Sequence, residues 1–258
     1  MIYNYTRFEI AVLPILFVYI SLFLLSIFMT IKLIKKWRER KVPAPLHLSL
    51  VYMTMTIGAF ILMIGLLEAV ITGYYMEIYR FSLPMAYSCV VLWNIFLFLF
   101  ISGITEKGKR ALIPIILIGI GIIIALFLPT NWWGYPSEEY AGKLNTRLYS
   151  TVSLVIYSII IYISIFLICQ KAKQKTSDKI SRVGLSLLAY AMICMLLWFF
   201  FIILDTILIV FTNHPGYSIF VYIAWIFAFI FMAFTYISLI MPDWFVRWIE
   251  KREELKNK

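Results

Sequence analysis

Seven long stretches of the chain are almost free of charged side chains, and this pattern constrains the fold more than any other feature. Each is long enough for an α-helix to cross ~30 Å of hydrocarbon, which takes about 20 residues. The composition agrees, because 63% of the residues are hydrophobic and only 14% are charged. The sequence therefore predicts an all-α polytopic protein of the cell membrane, a seven-transmembrane helix bundle. The predicted spans are residues 10–31, 48–73, 81–104, 111–128, 148–169, 183–211 and 217–241.

Lysine and arginine residues lie mostly on one side of the predicted membrane. Cytoplasmic ends of membrane proteins carry an excess of these residues, so the richer side is expected to be cytoplasmic. This places the N-terminus outside and the C-terminus in the cytoplasm. The net charge of +10 is clustered beside the spans, which favours an anionic inner leaflet as partner and not nucleic acid. The poorer side has only Arg7, Arg80, Lys143 and Arg147.

The segment after the seventh span is predicted to be a separate amphipathic helix. Residues 1–242 would form the transmembrane domain, and residues 243–258 a cytoplasmic juxtamembrane helix with Asp243 as its N-cap. Because its apolar side chains share one face, we expect this helix to lie on the inner leaflet. A straight continuation into the cytoplasm is the alternative. The apolar face comprises Trp244, Phe245, Trp248, Ile249 and Leu255.

Spans two and six share a pattern that indicates a possible internal duplication. Span two runs from a Leu-Ser-Leu sequence at 48–50 to Glu68, and span six from the same sequence at 185–187 to Asp205, with equal spacing. Spans 1–3 and 5–7 would then be parallel repeats joined by span four, a 3+1+3 pseudo-repeat of the kind that transporters use. Chance similarity between helices rich in Ile, Leu, Phe and Tyr is the alternative.

Four polar residues are the candidate ligand-binding residues. Counting from the cytoplasmic charges at 1.5 Å per residue places Glu68, Asp205 and Arg147 in one layer, ~35–40 Å away. Ionisable side chains in a membrane are costly and often functional. We therefore predict that these three line an outward-facing polar pocket, here called the outer pocket, for a cationic or zwitterionic small molecule. Asn94, inside span three, is the fourth candidate.

The same four residues also have purely structural explanations. The charged side chains could reach the lipid headgroups, or pair with opposite charges to hold helices together. An interhelical hydrogen bond would explain Asn94 equally well.

No pattern in the sequence is typical of an enzyme. The two histidines, His47 and His214, are expected on opposite membrane faces and cannot share a metal ion. Neither His-Glu-x-x-His nor Gly-x-Ser-x-Gly occurs, so no catalytic residue, metal or cofactor is predicted. Span seven has no lysine for a retinal Schiff base, and span three lacks the acidic-Arg-Tyr motif of G-protein-coupled receptors.

Three features resemble the seven-transmembrane sensor region at the N-terminus of some prokaryotic membrane histidine kinases. They are the acid late in span two (Gly-Leu-Leu-Glu at 65–68), Pro-Thr-Asn at 129–131 after span four, and the basic segment before span six. The resemblance covers most of the chain. Since the sequence stops at Lys258 without a kinase or cyclase domain, it implies a stand-alone sensor that passes its signal to a separate partner.

The leading hypothesis is therefore a sensor or receptor-like membrane protein. A small-molecule ligand in the outer pocket would bias helix packing, and the polar loop at 170–182 and the tail helix would report the change to a cytoplasmic signalling partner. The alternatives are a small secondary transporter built from two three-helix repeats, and a non-catalytic membrane assembly subunit.

Overall fold

The computed structural model describes residues 5, 7–104, 109–128, 147–212 and 217–254 of the 258. In these ranges the chain forms eight α-helices and a 3₁₀ turn at Ile10–Val12. The helices are α1 (Leu13–Arg40), α2 (Pro43–Thr72), α3 (Glu77–Ile104), α4 (Lys109–Phe127), α5 (Arg147–Lys175), α6 (Lys179–Thr212), α7 (Ile219–Ile240) and α8 (Asp243–Glu254). Helices α1 to α7 are long and apolar enough to cross a membrane. The prediction of an all-α, multi-pass membrane protein with seven spans is confirmed.

The first two helices are separated by a tight turn at a proline. Helix α1 continues through the basic residues that follow its apolar part and ends at Arg40. Lys41 then adopts a left-handed conformation (φ 52°), and its N–H donates to the carbonyl of Trp37 over 2.7 Å. Pro43 begins α2, where its fixed φ suits the first turn and its missing N–H costs nothing.

The prediction that residues 170–182 form a loop is wrong. Helix α5 continues to Lys175 and α6 begins at Lys179, so only residues 176–178 separate them. Lysine, glutamine and alanine are good helix formers, which explains why the helices continue beyond their apolar parts. The turn is closed by Arg182, whose Nη2 donates to the carbonyl of Thr176 over 2.9 Å.

Asp178 caps the start of α6 and gives it a dependence on pH. Its carboxylate accepts hydrogen bonds from the hydroxyl and the backbone N–H of Ser181, which lower the pKa of Asp178 from its ordinary 3.8. A carboxyl with a lowered folded-state pKa stabilises the fold above its unfolded pKa, and this contribution is lost as pH falls through the folded value. We expect protection of the Ser181 amide from hydrogen exchange to fall below pH ~4.

The control for this prediction is Asp178→Asn, because asparagine also caps helices but does not titrate. Its protection factors should stay flat over the same pH range. Identical pH profiles for the two proteins would show that the Asp178 carboxylate does not hold the turn.

The chain divides into two compact units, Met1–Ser158 and Ile159–Lys258, with the boundary inside α5. In the first unit α1 packs on α2, α2 on α3, and α3 on α4. The beginning of α5 joins this unit through a hydrogen bond from the Tyr157 hydroxyl to the carbonyl of Ile115 in α4 (3.2 Å). In the second unit α6 packs on α7.

Helices α2 and α3 form an antiparallel hairpin whose axes approach closely at glycines. A Cβ atom on Gly65 would lie 2.5 Å from the Ser82 Oγ and 3.0 Å from the Tyr79 Cα. One added to Gly58 would lie 3.2 Å from the Cβ of Cys89. The earlier glycine of α2 thus faces the later residue of α3, as expected for antiparallel helices. Small residues at an interface are how membrane helices bring their backbones together.

Helices α6 and α7 form a second antiparallel hairpin, which aromatic side chains fill. The rings of Phe201 and Phe227 are stacked with centroids 5.6 Å apart, and Trp198 meets Trp225 edge-on at 5.7 Å. The opposite end is closed by the Ser238 hydroxyl, which donates to the carbonyl of Gly184 over 2.8 Å. Large rings therefore occupy an interface that glycines and serine occupy in the first hairpin.

Helix α8 follows α7 after a sharp turn at Met241 (φ 47°) and Pro242. The Pro242 carbonyl accepts from the N–H groups of Phe245 (2.8 Å) and Val246 (3.1 Å). Asp243 is therefore the first residue of the helix and not its N-cap. A carboxylate in the first turn is still favourable, because the helix dipole is positive there.

Candidate functional site

Glu68 joins the two helices of the first hairpin. It lies near the end of α2, and its Oε2 accepts a hydrogen bond from the backbone N–H of Tyr79 over 2.9 Å. Tyr79 is the third residue of α3, and such an N–H has no partner within its own helix. The carboxylate supplies that partner and also faces the positive end of the α3 dipole.

Asp205 does the same in the second hairpin. Its Oδ1 accepts from the backbone N–H of Ser218 over 2.9 Å, and its side chain is only 7% exposed. Ser218 is the N-cap of α7, and its own Oγ accepts from the N–H of Phe220 over 3.2 Å. These two hydrogen bonds give acceptors to the N–H groups of Ser218 and Phe220 at the start of α7.

The two acids that the sequence singled out thus hold equivalent positions in their hairpins. Each lies late in the first helix and binds the N-terminal end of the second. This explains how a carboxylate is tolerated there, since an unsatisfied N–H in an apolar environment costs several kcal/mol. Each bond uses one carboxylate oxygen. Within the described ranges, Glu68 Oε1 and Asp205 Oδ2 accept no hydrogen bond.

A third carboxylate, Glu77, neutralises a buried arginine at the same end of the first hairpin. The Arg80 side chain is 2% exposed, and its Nη1 lies 2.7 Å from Oε1 of Glu77, whose side chain is 57% exposed. The Tyr5 hydroxyl donates to the same oxygen over 2.9 Å. Glu77 therefore connects a buried cation to the surface.

The N-terminal segment (Tyr5, Arg7 and Phe8) packs against the turn between α2 and α3. Arg7 and Tyr74 form an antiparallel β-bridge, and the N–H of Phe8 donates to the carbonyl of Gly73 over 2.9 Å. The Phe8 ring meets that of Tyr75 edge-on, with centroids 5.9 Å apart. The segment thus lies next to the Glu77–Arg80 ion pair and contributes Tyr5 to it.

Asn94 does not join Glu68. It is fully buried, and its Nδ2 donates to the Ser158 Oγ over 2.8 Å, which links α3 to α5. It lies 15 residues beyond Tyr79 in α3, or ~22 Å along the axis. This is the interhelical hydrogen bond that was the alternative explanation of Asn94. Among the described residues, its Oδ1 accepts no hydrogen bond.

The outer pocket itself stays a prediction. Glu68 belongs to the first unit and Asp205 to the second. Arg147 is the first residue of α5, and its side chain lies outside the part of the chain that is described. The sequence assigned Arg80 to the side of the membrane that is poor in cations, and neither Arg80 nor Glu77 was among the candidates. The sequence feature that could have identified them is an acidic and a basic residue three positions apart at the start of a helix.

No protein-family model, curated protein or solved structure matches the chain.

Proposed function

We propose that the chain is a sensor or receptor-like protein of the cell membrane, with its N-terminus outside and its C-terminus in the cytoplasm. It binds a zwitterionic small molecule at the outer end of the α2–α3 hairpin and signals to a separate cytoplasmic partner. The observation that supports this most directly is the ion pair of exposed Glu77 with buried Arg80.

The ion pair favours a ligand that carries both charges. A buried guanidinium needs an anion beside it, because an uncompensated buried charge is strongly destabilising. The carboxylate of a zwitterion can replace Glu77 on Arg80, while its ammonium group binds the released Glu77 and the unused Oε1 of Glu68. Every charge then keeps a partner. A simple cation could not take the place of Glu77 on Arg80, and a simple anion could not bind the released Glu77.

The N-terminal segment couples binding to helix packing. Tyr5 binds Glu77, so a ligand that displaces this carboxylate from Arg80 also changes the contact of the segment with α3. Glu68 holds the first turn of α3 against α2, and a ligand bound at its second oxygen acts on the same junction. Helix α2 packs on α1, so a shift of α2 reaches the short turn at residues 41–42.

A second candidate, a small secondary transporter, is favoured by the shared bond of Glu68 and Asp205. A carboxylate bound to the start of the next helix occurs in both hairpins, as expected if the two halves are repeats. The two interfaces differ in their packing, however, with glycines in one and aromatic rings in the other. The transporter therefore stays second.

The binding test is a thermal-stability screen of the purified protein with amino acids, amines, carboxylates and sugars. A zwitterion at about 100 times its dissociation constant should stabilise the wild type by roughly 2.7 kcal/mol. Glu77→Gln should weaken this response, because the ligand ammonium then keeps only Glu68 as an anionic partner. Glu9→Gln is the matched control, since this exposed carboxylate follows Phe8, which binds the α2–α3 turn, but is not in the ion pair.

Two results would contradict the proposal. One is a wild-type protein that no zwitterion stabilises, and the other is Glu77→Gln that responds as the wild type does. Uptake of the stabilising compound by proteoliposomes would favour the transporter over the sensor.

A further inference from the structure

The packing of α7 on α6 brings two surface features to one end of the second unit. The Ser238 hydroxyl binds the Gly184 carbonyl, and a Cβ atom on Gly184 would lie 2.5 Å from the Met241 Cε. Gly184 is the sixth residue of α6, which follows the α5–α6 turn, and Met241 lies two residues before the start of α8. The α5–α6 turn and the start of α8 therefore lie at the same end of this unit.

The first feature is a concentration of positive charge, here called the basic turn. It contains five cationic residues and a single carboxylate, Asp178, which already caps α6. Lys171 and Lys175 are both exposed and lie one helical turn apart. The cationic residues are Lys171, Lys173, Lys175, Lys179 and Arg182.

The second feature is an aromatic face on α8, formed by Trp244, Phe245 and Trp248. The two tryptophans are 57% and 52% exposed, and the Phe245 ring stacks on Trp248 with centroids 5.7 Å apart. Ile249 is buried and Phe245 and Val246 are half-buried, so this side of α8 packs against the protein while its tryptophans face outward. The apolar face that the sequence predicted is therefore divided, because Ile249 packs inward while Trp244 and Trp248 are exposed.

We propose that the basic turn and the aromatic face together dock on the headgroups of anionic phospholipids. Tryptophan prefers the boundary between hydrocarbon and water, and α8 begins two residues after the last helix long enough to span the membrane. Lysines beside such a helix attract anionic lipid. Helix α8 carries both acidic and basic side chains, so the preference for anionic lipid comes from the basic turn. The tryptophans set how deeply α8 lies in the membrane interface.

An acidic soluble protein is the other conceivable occupant of a basic surface. It would explain the lysines but would leave the two tryptophans exposed to water. Exposed tryptophans next to a membrane span favour the lipid.

The test measures quenching of tryptophan fluorescence by brominated lipids, with the full-length protein in nanodiscs. The signal of Trp244 and Trp248 is the difference between the wild type and Trp244→Phe/Trp248→Phe. We expect brominated phosphatidylglycerol to quench this signal at a several-fold lower lipid fraction than brominated phosphatidylcholine, about fivefold for each lysine involved. Lys171→Gln/Lys175→Gln should reduce this preference by about fivefold for each lysine removed, and Lys171→Arg/Lys175→Arg should retain it.

The matched control is Lys35→Gln/Arg38→Gln, which removes two exposed cations from the end of α1 and should leave the preference intact. An equal loss in this control would attribute the effect to total charge and overturn the assignment. The proposal also fails if the wild type shows no preference between the two lipids, or if neither lipid quenches the α8 signal. None of these outcomes depends on a ligand at Glu77.

Discussion

Replacing Gly65 by alanine is expected to destabilise the protein by about 1–3 kcal/mol. The added Cβ would lie 2.8 Å from the Cβ of Ser82 and 3.0 Å from the Cα of Tyr79, so rotation of the serine side chain cannot relieve the overlap. Helices α2 and α3 would have to separate, which also lengthens the hydrogen bond from Tyr79 to Glu68. Reversible unfolding of the purified protein in a mixed detergent measures the change.

The control is the same substitution at Gly121 in α4, where an added Cβ would meet no heavy atom within 4 Å. Alanine is the better helix former, so Gly121→Ala should stabilise by up to about 1 kcal/mol. Ser82→Gly should recover part of the loss caused by Gly65→Ala, since it removes two of the overlapping atoms. If Gly65→Ala proves as stable as Gly121→Ala, the helices do not approach as closely as described.

Asp205→Ala is expected to destabilise the protein by about 1–3 kcal/mol, because it leaves the N–H of Ser218 without an acceptor in a buried environment. Asp205→Asn should cost less, since its carbonyl oxygen can accept the same bond. The readout is the unfolding free energy together with hydrogen exchange of the Ser218 amide. The exchange rate should rise strongly in the alanine variant alone.

The comparison of these two variants separates a structural carboxylate from a ligand-binding one. If asparagine restores both stability and amide protection, the hydrogen bond accounts for the acid at this depth. A variant Asp205→Ala as stable as the wild type would show that the bond to Ser218 contributes nothing to the fold.

That each acid lies late in a long apolar helix could be predicted from the sequence, but its hydrogen-bond partner could not. Counting residues from the cytoplasmic charges placed Glu68 and Asp205 in one layer because helix rise and membrane thickness are nearly constant. Which backbone N–H meets each carboxylate depends on the length and path of the following turn. The bond joins residues 68 and 79 in one hairpin and 205 and 218 in the other.

Arg80 illustrates a second limit of the sequence. The sequence assigned it to the side of the membrane that is poor in cations, where an arginine is expected to reach water or headgroups. In the structure Arg80 is buried and forms an ion pair with Glu77, which Tyr5 of the N-terminal segment also contacts. The contact between Tyr5 and Glu77 joins residues 72 positions apart, and such a contact produces no periodic pattern in the sequence.

The β-bridge between Arg7 and Tyr74 also has a consequence for how the chain enters the membrane. Both residues must be in the same compartment for the bridge to form, so α1 and α2 have to cross in opposite directions. This holds whichever way the surrounding lysines and arginines bias insertion. Residue 7 is also synthesised long before residue 74, so the segment ahead of α1 stays without this partner until the end of α2 reaches the same side of the membrane. Formation of the bridge therefore marks the completed insertion of the first two spans.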